Sequence, residues 1–145
     1  MTYLIDTNLL VYLHTHTDSK KRQRAVEVVR LLSATNSAVL SAQVLAELAN
    51  VSIRKLGLQV PDVQGQVTQL AKAFPVLPLT EWVVINALQA VKEHQLSYYD
   101  AQIWAAAQTH RVPYILSEDF KAGSTLGGVT FLDPFADGFE VAALA

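Results

Sequence analysis

The 145-residue sequence predicts an α/β fold built on a mainly parallel sheet, and three observations carry that expectation. Short apolar, β-prone runs recur along the chain, and segments with helical periodicity or turn residues lie between them. No linker, internal repeat or low-complexity stretch interrupts the alternation, so residues 1–145 read as a single domain. With 51% hydrophobic and 17% charged positions, a chain of this length buries roughly 70% of its unfolded surface and needs no covalent staple.

Tyr3-Leu4-Ile5 is the first run, and it ends at Asp6-Thr7-Asn8, as a buried strand leaving into a turn or a helix start does. Ala38-Val39-Leu40, Val76-Leu77, Tyr114-Ile115-Leu116 and Val129-Thr130-Phe131-Leu132 are the later candidate strands. Helical periodicity covers 20–34, 42–56, 62–73, 81–95 and 98–110. The stops have a chemical cause: Gly57 follows the second helix, Pro75 the third and Pro113 the last. In open α/β sheets the working site lies beyond the carboxyl ends of the strands. Asp6, Ser41 and Ser117-Glu118-Asp119 stand at such strand exits.

Cysteine is absent, which excludes disulfides, thiolate nucleophiles and cysteine-bound metals, and suits a reducing compartment. A metal must therefore bind through oxygen or histidine. A net charge of −2 argues against general coating of nucleic acid, which needs many Lys and Arg. Two local basic clusters, Lys20-Lys21-Arg22-Gln23-Arg24 and Arg54-Lys55, either guide a strand or form solvated helix faces. The N-terminus lacks the pattern of a signal peptide and no apolar run reaches membrane-spanning length, so the reading is a soluble, cytoplasmic protein. The aromatic-rich, sparsely charged run from Phe131 to Ala145 either packs inside the monomer or offers an association surface.

Each notable carboxylate has a plain structural explanation as well as a functional one. Asp6, ahead of Thr7 and Asn8, is a good helix cap. Glu47 lies in the stripe formed by Leu40, Val44 and Val51, where a charge needs either a basic partner or a metal. Asp100 closes Ser97-Tyr98-Tyr99-Asp100, the pattern of a capping box, yet leans toward the face of Ile103, Trp104 and Ala107. Asp119 sits in Ser117-Glu118-Asp119-Phe120, which also reads as a polar turn. Taken as a set, the four would converge at one sheet edge, and divalent cations are the ordinary remedy for their mutual repulsion. Oxygen ligands favour Mg²⁺ or Mn²⁺ over zinc, and His14, His16, His94 and His110, which lack zinc-like spacing, read as structural or surface residues.

These residues resemble the PIN-domain family, particularly its VapC-like toxins, over nearly the whole chain. The matching fragments are Tyr3-Leu4-Ile5-Asp6-Thr7-Asn8, Ser41 to Leu48 around Glu47, Ser97 to Ile103 around Asp100, and Leu116-Ser117-Glu118-Asp119-Phe120. The resemblance implies a three-layer fold with a five-stranded parallel sheet and a metal-dependent endoribonuclease. It also implies frequent homodimers and a small antitoxin whose C-terminal segment covers the site. The doubled acid leaves Glu118 as a rival for the role of Asp119.

The expected reaction is hydrolysis of an RNA phosphodiester by in-line attack of an activated water. Asp6, Asp100 and Asp119 are expected as ligands, Glu47 as ligand or water-orienter, Asn8 as their hydrogen-bonding support, and Ser41 or Ser117 as phosphate contacts. Two alternatives remain open. One is a phosphatase of the haloacid dehalogenase type with Asp6 as nucleophile, although that motif has a second Asp where this chain has Asn8. The other is a catalytically inactive PIN-like protein-binding module.

Overall fold

A computed structural model describes residues 1–145. The chain runs β1 (Tyr3–Ile5), α1 (Thr7–Leu13), α2 (Ser19–Ala34), β2 (Ala38–Ser41), α3 (Ala42–Arg54), α4 (Val60–Ala73) and β3 (Val76–Leu77). It continues through α5 (Glu81–His94), α6 (Tyr98–Thr109), β4 (Tyr114–Leu116), β5 (Thr125–Leu126), β6 (Val129–Leu132) and a final 3-10 turn, Val141–Leu144. The sheet order is β3-β2-β1-β4-β6-β5, parallel throughout except for the antiparallel β5–β6 pair. All five expected strands form, and β5 makes a sixth. It is the outer arm of a hairpin whose turn, Gly127-Gly128, has positive φ at both positions, as a twist-matched two-residue loop requires.

β1 lies between β2 and β4, so the chain winds outward through β2 and β3, then returns past β1 to build the other half. The carboxyl ends of β1 and β4 open side by side at this reversal, in register from Tyr3 with Tyr114 to Ile5 with Leu116. The sheet centre is fully apolar: Leu4, Ile5, Leu40, Ile115 and Leu116 have no more than traces of exposed surface. α1, absent as a separate helix from the sequence reading, begins directly after Asp6 and buries Leu9 and Leu10. α6 is buried from Ala101 to Ala107, and four of those seven residues are alanine, which lets α5 pack closely through Ala87 and Ala90.

The C-terminal run folds back on the same monomer. Phe131 and Leu144 are buried, Phe135, Phe139 and Val141 pack on the core, and Arg24 Nη1 donates to the carbonyls of Pro134 (2.8 Å) and Phe139 (2.9 Å). The large apolar side chains of that run are therefore packed on the monomer's own core, while its small and charged residues face solvent. No helix is long and apolar enough to cross a membrane.

The β5–β6 turn supplies a stability prediction. A Cβ on Gly127, at φ +54°, would stand 2.7 Å from Trp104 Cζ2, and the indole is held in place by its N–H bond to the Leu126 carbonyl (2.9 Å). Gly127→Ala is expected to destabilise the protein by roughly 2–4 kcal/mol through strain plus overpacking. Gly123→Ala meets no neighbouring atom at its φ of +78° and should cost roughly 1–2 kcal/mol. Urea unfolding of both variants checks the order; equal losses would contradict the clash.

Candidate active site

Asp6 is the best-anchored member of the site. It caps α1, and the end of β1 leaves its side chain 3% exposed. Oδ1 accepts from the Thr7 N–H (2.7 Å) and Oδ2 from the Ser117 hydroxyl at the end of β4 (2.6 Å). Burial lifts its carboxyl from 3.8 to about 6; the two hydrogen bonds pull the other way, and Asp119 and Glu47 add to the rise by repulsion. The cap and the site are thus one arrangement.

Glu47 enters from the middle of α3, half-buried, and no Lys or Arg pairs with it. The salt-bridge alternative therefore falls. Its oxygens accept from the Thr7 hydroxyl (3.0 Å) and from Gln43 Nε2 one turn earlier (2.6 Å). Gln43 is held in turn: Gln102 Nε2 donates to its Oε1 (2.8 Å), and the Tyr98 hydroxyl donates to Gln102 Oε1 (2.7 Å). The sequence reading missed Thr7, Gln43 and Gln102. Their detectable signal was polarity in otherwise apolar stripes, since Gln43 and Gln102 are both buried.

Asp100 lies in the first turn of α6, and the capping box read from Ser97 does not form, because the Ser97 side chain makes no cap bond. Asp119 is exposed on the turn after β4, with its backbone N–H on Ser117 Oγ (3.0 Å) and its Oδ2 accepting from Asn8 Nδ2 (3.0 Å). Partial burial and the charges of Asp100 and Glu118 push its carboxyl up. Asp6, Glu47, Asp100 and Asp119 line one cleft together with Thr7 and Asn8.

Other expected members lie elsewhere. Ser41 is buried, its oxygen accepts from the Val44 N–H (3.2 Å) as the cap of α3, and it does not line the cleft. Ser117 is likewise occupied, orienting Asp6 and the Asp119 backbone. Glu118 turns away to the Tyr12 hydroxyl and to Lys21 Nζ (2.6 Å), so it does not share the place of Asp119 in the cleft. None of the four histidines lines it.

No three Asp, Glu or His side chains are drawn together as a ready-made cation cage. The donor set nevertheless fits a hydrated hard cation: four carboxylates without a basic partner, mutually repelling, beside a buried Asn8 Oδ1 that accepts no hydrogen bond. Asp6, Glu47, Asp100 and Asp119 would hold such a cation, which retains part of its water shell.

The fold and this acidic cleft define an α/β protein with its site at the sheet's switch point. The PIN domain model matches residues 3–123, a span that contains all four acids, and the chain belongs to the PIN domain family. No curated protein sequence matches it. A toxin–antitoxin complex from Klebsiella pneumoniae superposes with a TM-score of 0.67 at 21% identity, over 92% of this chain and 98% of that one. VapC20 of Mycobacterium tuberculosis, a sarcin–ricin loop cleaving toxin, gives 0.66 at 20% identity over 87% and 98%. DNA-bound VapBC from Salmonella typhimurium gives 0.67 at 17% identity over 92% and 98%. These structures share the fold along essentially their full length.

Two predictions follow from the buried acids. The rise of Asp6 from 3.8 to about 6 corresponds to about 3 kcal/mol. Because the folded chain holds that proton more tightly than the unfolded one, the penalty is complete above pH 6 and disappears as pH falls toward 3.8. In EDTA, Asp6→Asn should therefore gain stability relative to the unaltered chain between pH 4 and pH 7, by up to about 3 kcal/mol. A difference independent of pH in urea titrations contradicts this; comparing the two proteins cancels His14, whose burial lowers its pKa and works in the opposite direction. Glu47→Gln strands no cation, so its unfolding free energy should change by roughly 1 kcal/mol or less, against roughly 3–5 kcal/mol for a broken buried ion pair.

Proposed function

We propose that this chain is a divalent-metal-dependent endoribonuclease, acting in the cytoplasm as the toxin of a VapBC-type toxin–antitoxin pair. The observation that carries the reading is a PIN-domain cleft lined by four carboxylates of which none has a basic partner. The structural likeness to proteins described as toxins and as a sarcin–ricin loop cleaving toxin supports it.

Asp6, Asp100 and Asp119 would hold Mg²⁺ or Mn²⁺, with Glu47 as a further ligand or as the group that orients the attacking water. When bound, the cation supplies positive charge to the phosphate and lowers the pKa of a water nucleophile. The chain's own part is placement. Ser117 and Thr7 fix the Asp6 carboxylate, Gln43 and Thr7 fix that of Glu47, and Asn8 holds Asp119. A phosphoaspartate route fits less well, because both oxygens of Asp6 already accept hydrogen bonds and the side chain is 3% exposed.

A small antitoxin protein is the expected partner, in line with the complexes formed by the similar structures. A second copy of the chain is expected on α5, where Trp82, Ile85 and Leu88 stand about half or more exposed on successive turns.

Purified protein should cut RNA in Mn²⁺ or Mg²⁺ and stop in EDTA. Asp6→Asn, Asp100→Asn and Asp119→Asn should each lower the initial rate by a factor of about 100 or more, the scale of losing a group that acts on the transition state. Cleavage that survives EDTA, or acid variants that are folded and fully active, would sink the assignment.

A further inference from the structure

Half of the cleft is not acidic. Beyond the carboxylates it is walled by Val11, Val51, Leu56 and Ile103, and the whole space measures about 360 Å³, within the range that holds a small organic ligand. Lys55, exposed at the end of α3, is the sole basic side chain lining it, and no carboxylate pairs with it. Tyr99 lines it as well, with 66% of its surface open to solvent directly beside Asp100.

That tyrosine is exposed without being loose. Its carbonyl accepts from Gln43 Nε2 (3.0 Å), and its ring makes a T-shaped pair with that of Tyr98, centroids 5.3 Å apart at 76°. Tyr98 is itself fastened to Gln102. With its backbone fixed and its ring packed against Tyr98, the side chain has less freedom to lose on binding than a loose surface residue. No aromatic ring other than that of Tyr98, and no cation, packs on it.

An aromatic face, one free cation and a cluster of carboxylates that takes up metal make a combined recognition pattern. A single-stranded nucleic acid answers all three parts at once, with a base for the ring, a phosphate for Lys55 and the next phosphate for the metal-bearing end. A duplex does not, because its bases are already stacked and paired. We infer that Tyr99 is a stacking platform for an unpaired base of the substrate strand and Lys55 a contact for its adjoining phosphate. The inference rests on the nuclease reading above.

The test uses the full chain in Ca²⁺ with fluorescein-labelled hexaadenylate, read by anisotropy, and an abasic hexamer as the base-free probe. Tyr99→Ala should weaken hexaadenylate binding about 10- to 100-fold, with Tyr99→Phe restoring most of it and the abasic strand indifferent to either change. Lys55→Gln should weaken both strands and reduce the salt slope by about one ion. Val60→Ala, a change to an exposed apolar residue outside the cleft, should match the unaltered chain. Irradiation of a hexamer carrying 5-iodouridine should place the protein–RNA crosslink on Tyr99.

No binding by the unaltered chain, equal binding of the abasic strand, or crosslinks only outside the cleft would overturn the inference. So would a Tyr99→Ala protein that binds hexaadenylate as tightly as the unaltered chain. The two readings fail separately. RNA cut equally fast by Tyr99→Ala removes the platform and leaves the nuclease, whereas a strand crosslinked at Tyr99 but never cut in Mn²⁺ does the reverse.

Discussion

Burial of one carboxylate at the end of the central strand is the constraint on which the rest of the site depends. Asp6 has almost no contact with water, and only two donors offset that loss, one from the next residue and one from Ser117, on the neighbouring strand's exit. The two donors exist together only because β1 and β4 are paired in register, and β1 can pair with β4 only because the sheet reverses direction there. Topology thus supplies the hydrogen bonds that a charged group needs at that depth.

The remaining acids are held with decreasing firmness. Glu47 is held at both oxygens, one by the Thr7 hydroxyl and one by a buried amide relay, whereas Asp119 is exposed and receives one amide from Asn8. The gradient follows burial, since a deep charge must be fully satisfied and an outer one can rely on solvent. It also divides labour: the inner carboxylates have fixed positions, and the outer ones can adjust as a ligand enters. The repulsion among them is a standing stability cost of the kind that concentrates at working sites.

Much of this was legible in the residues. The five expected strands and the strand-exit placement of Asp6 and Asp119 follow from periodicity and from the rule that α/β sites form at carboxyl ends. Glu47 was detectable as a charge inside an apolar stripe. What escaped detection depended on partners distant in sequence. Ser41 and Ser117 both follow strands, yet one caps its own helix while the other reaches Asp6, and local sequence does not separate them. Ser97 through Asp100 has the composition of a capping box without making its bond. Glu118 and Asp119 are adjacent carboxylates sent in opposite directions because Lys21 and Tyr12, brought up by α1 and α2, claim the first. The β5 hairpin is different, since Gly127-Gly128 between Leu126 and Val129 was a readable turn signal.

The parallel pairing of β1 with β4 has a further consequence for how the molecule comes into being. β1 meets β2 soon after it is made, but its other neighbour, β4, lies more than a hundred residues later, and contacts of such separation are slow to form. A ribosome-bound chain that has not yet exposed Ser117 and Asp119 lacks both the donor that steadies Asp6 and the fourth acid of the cleft. Whatever chemistry the cleft performs therefore waits until the β4 side of the sheet has formed.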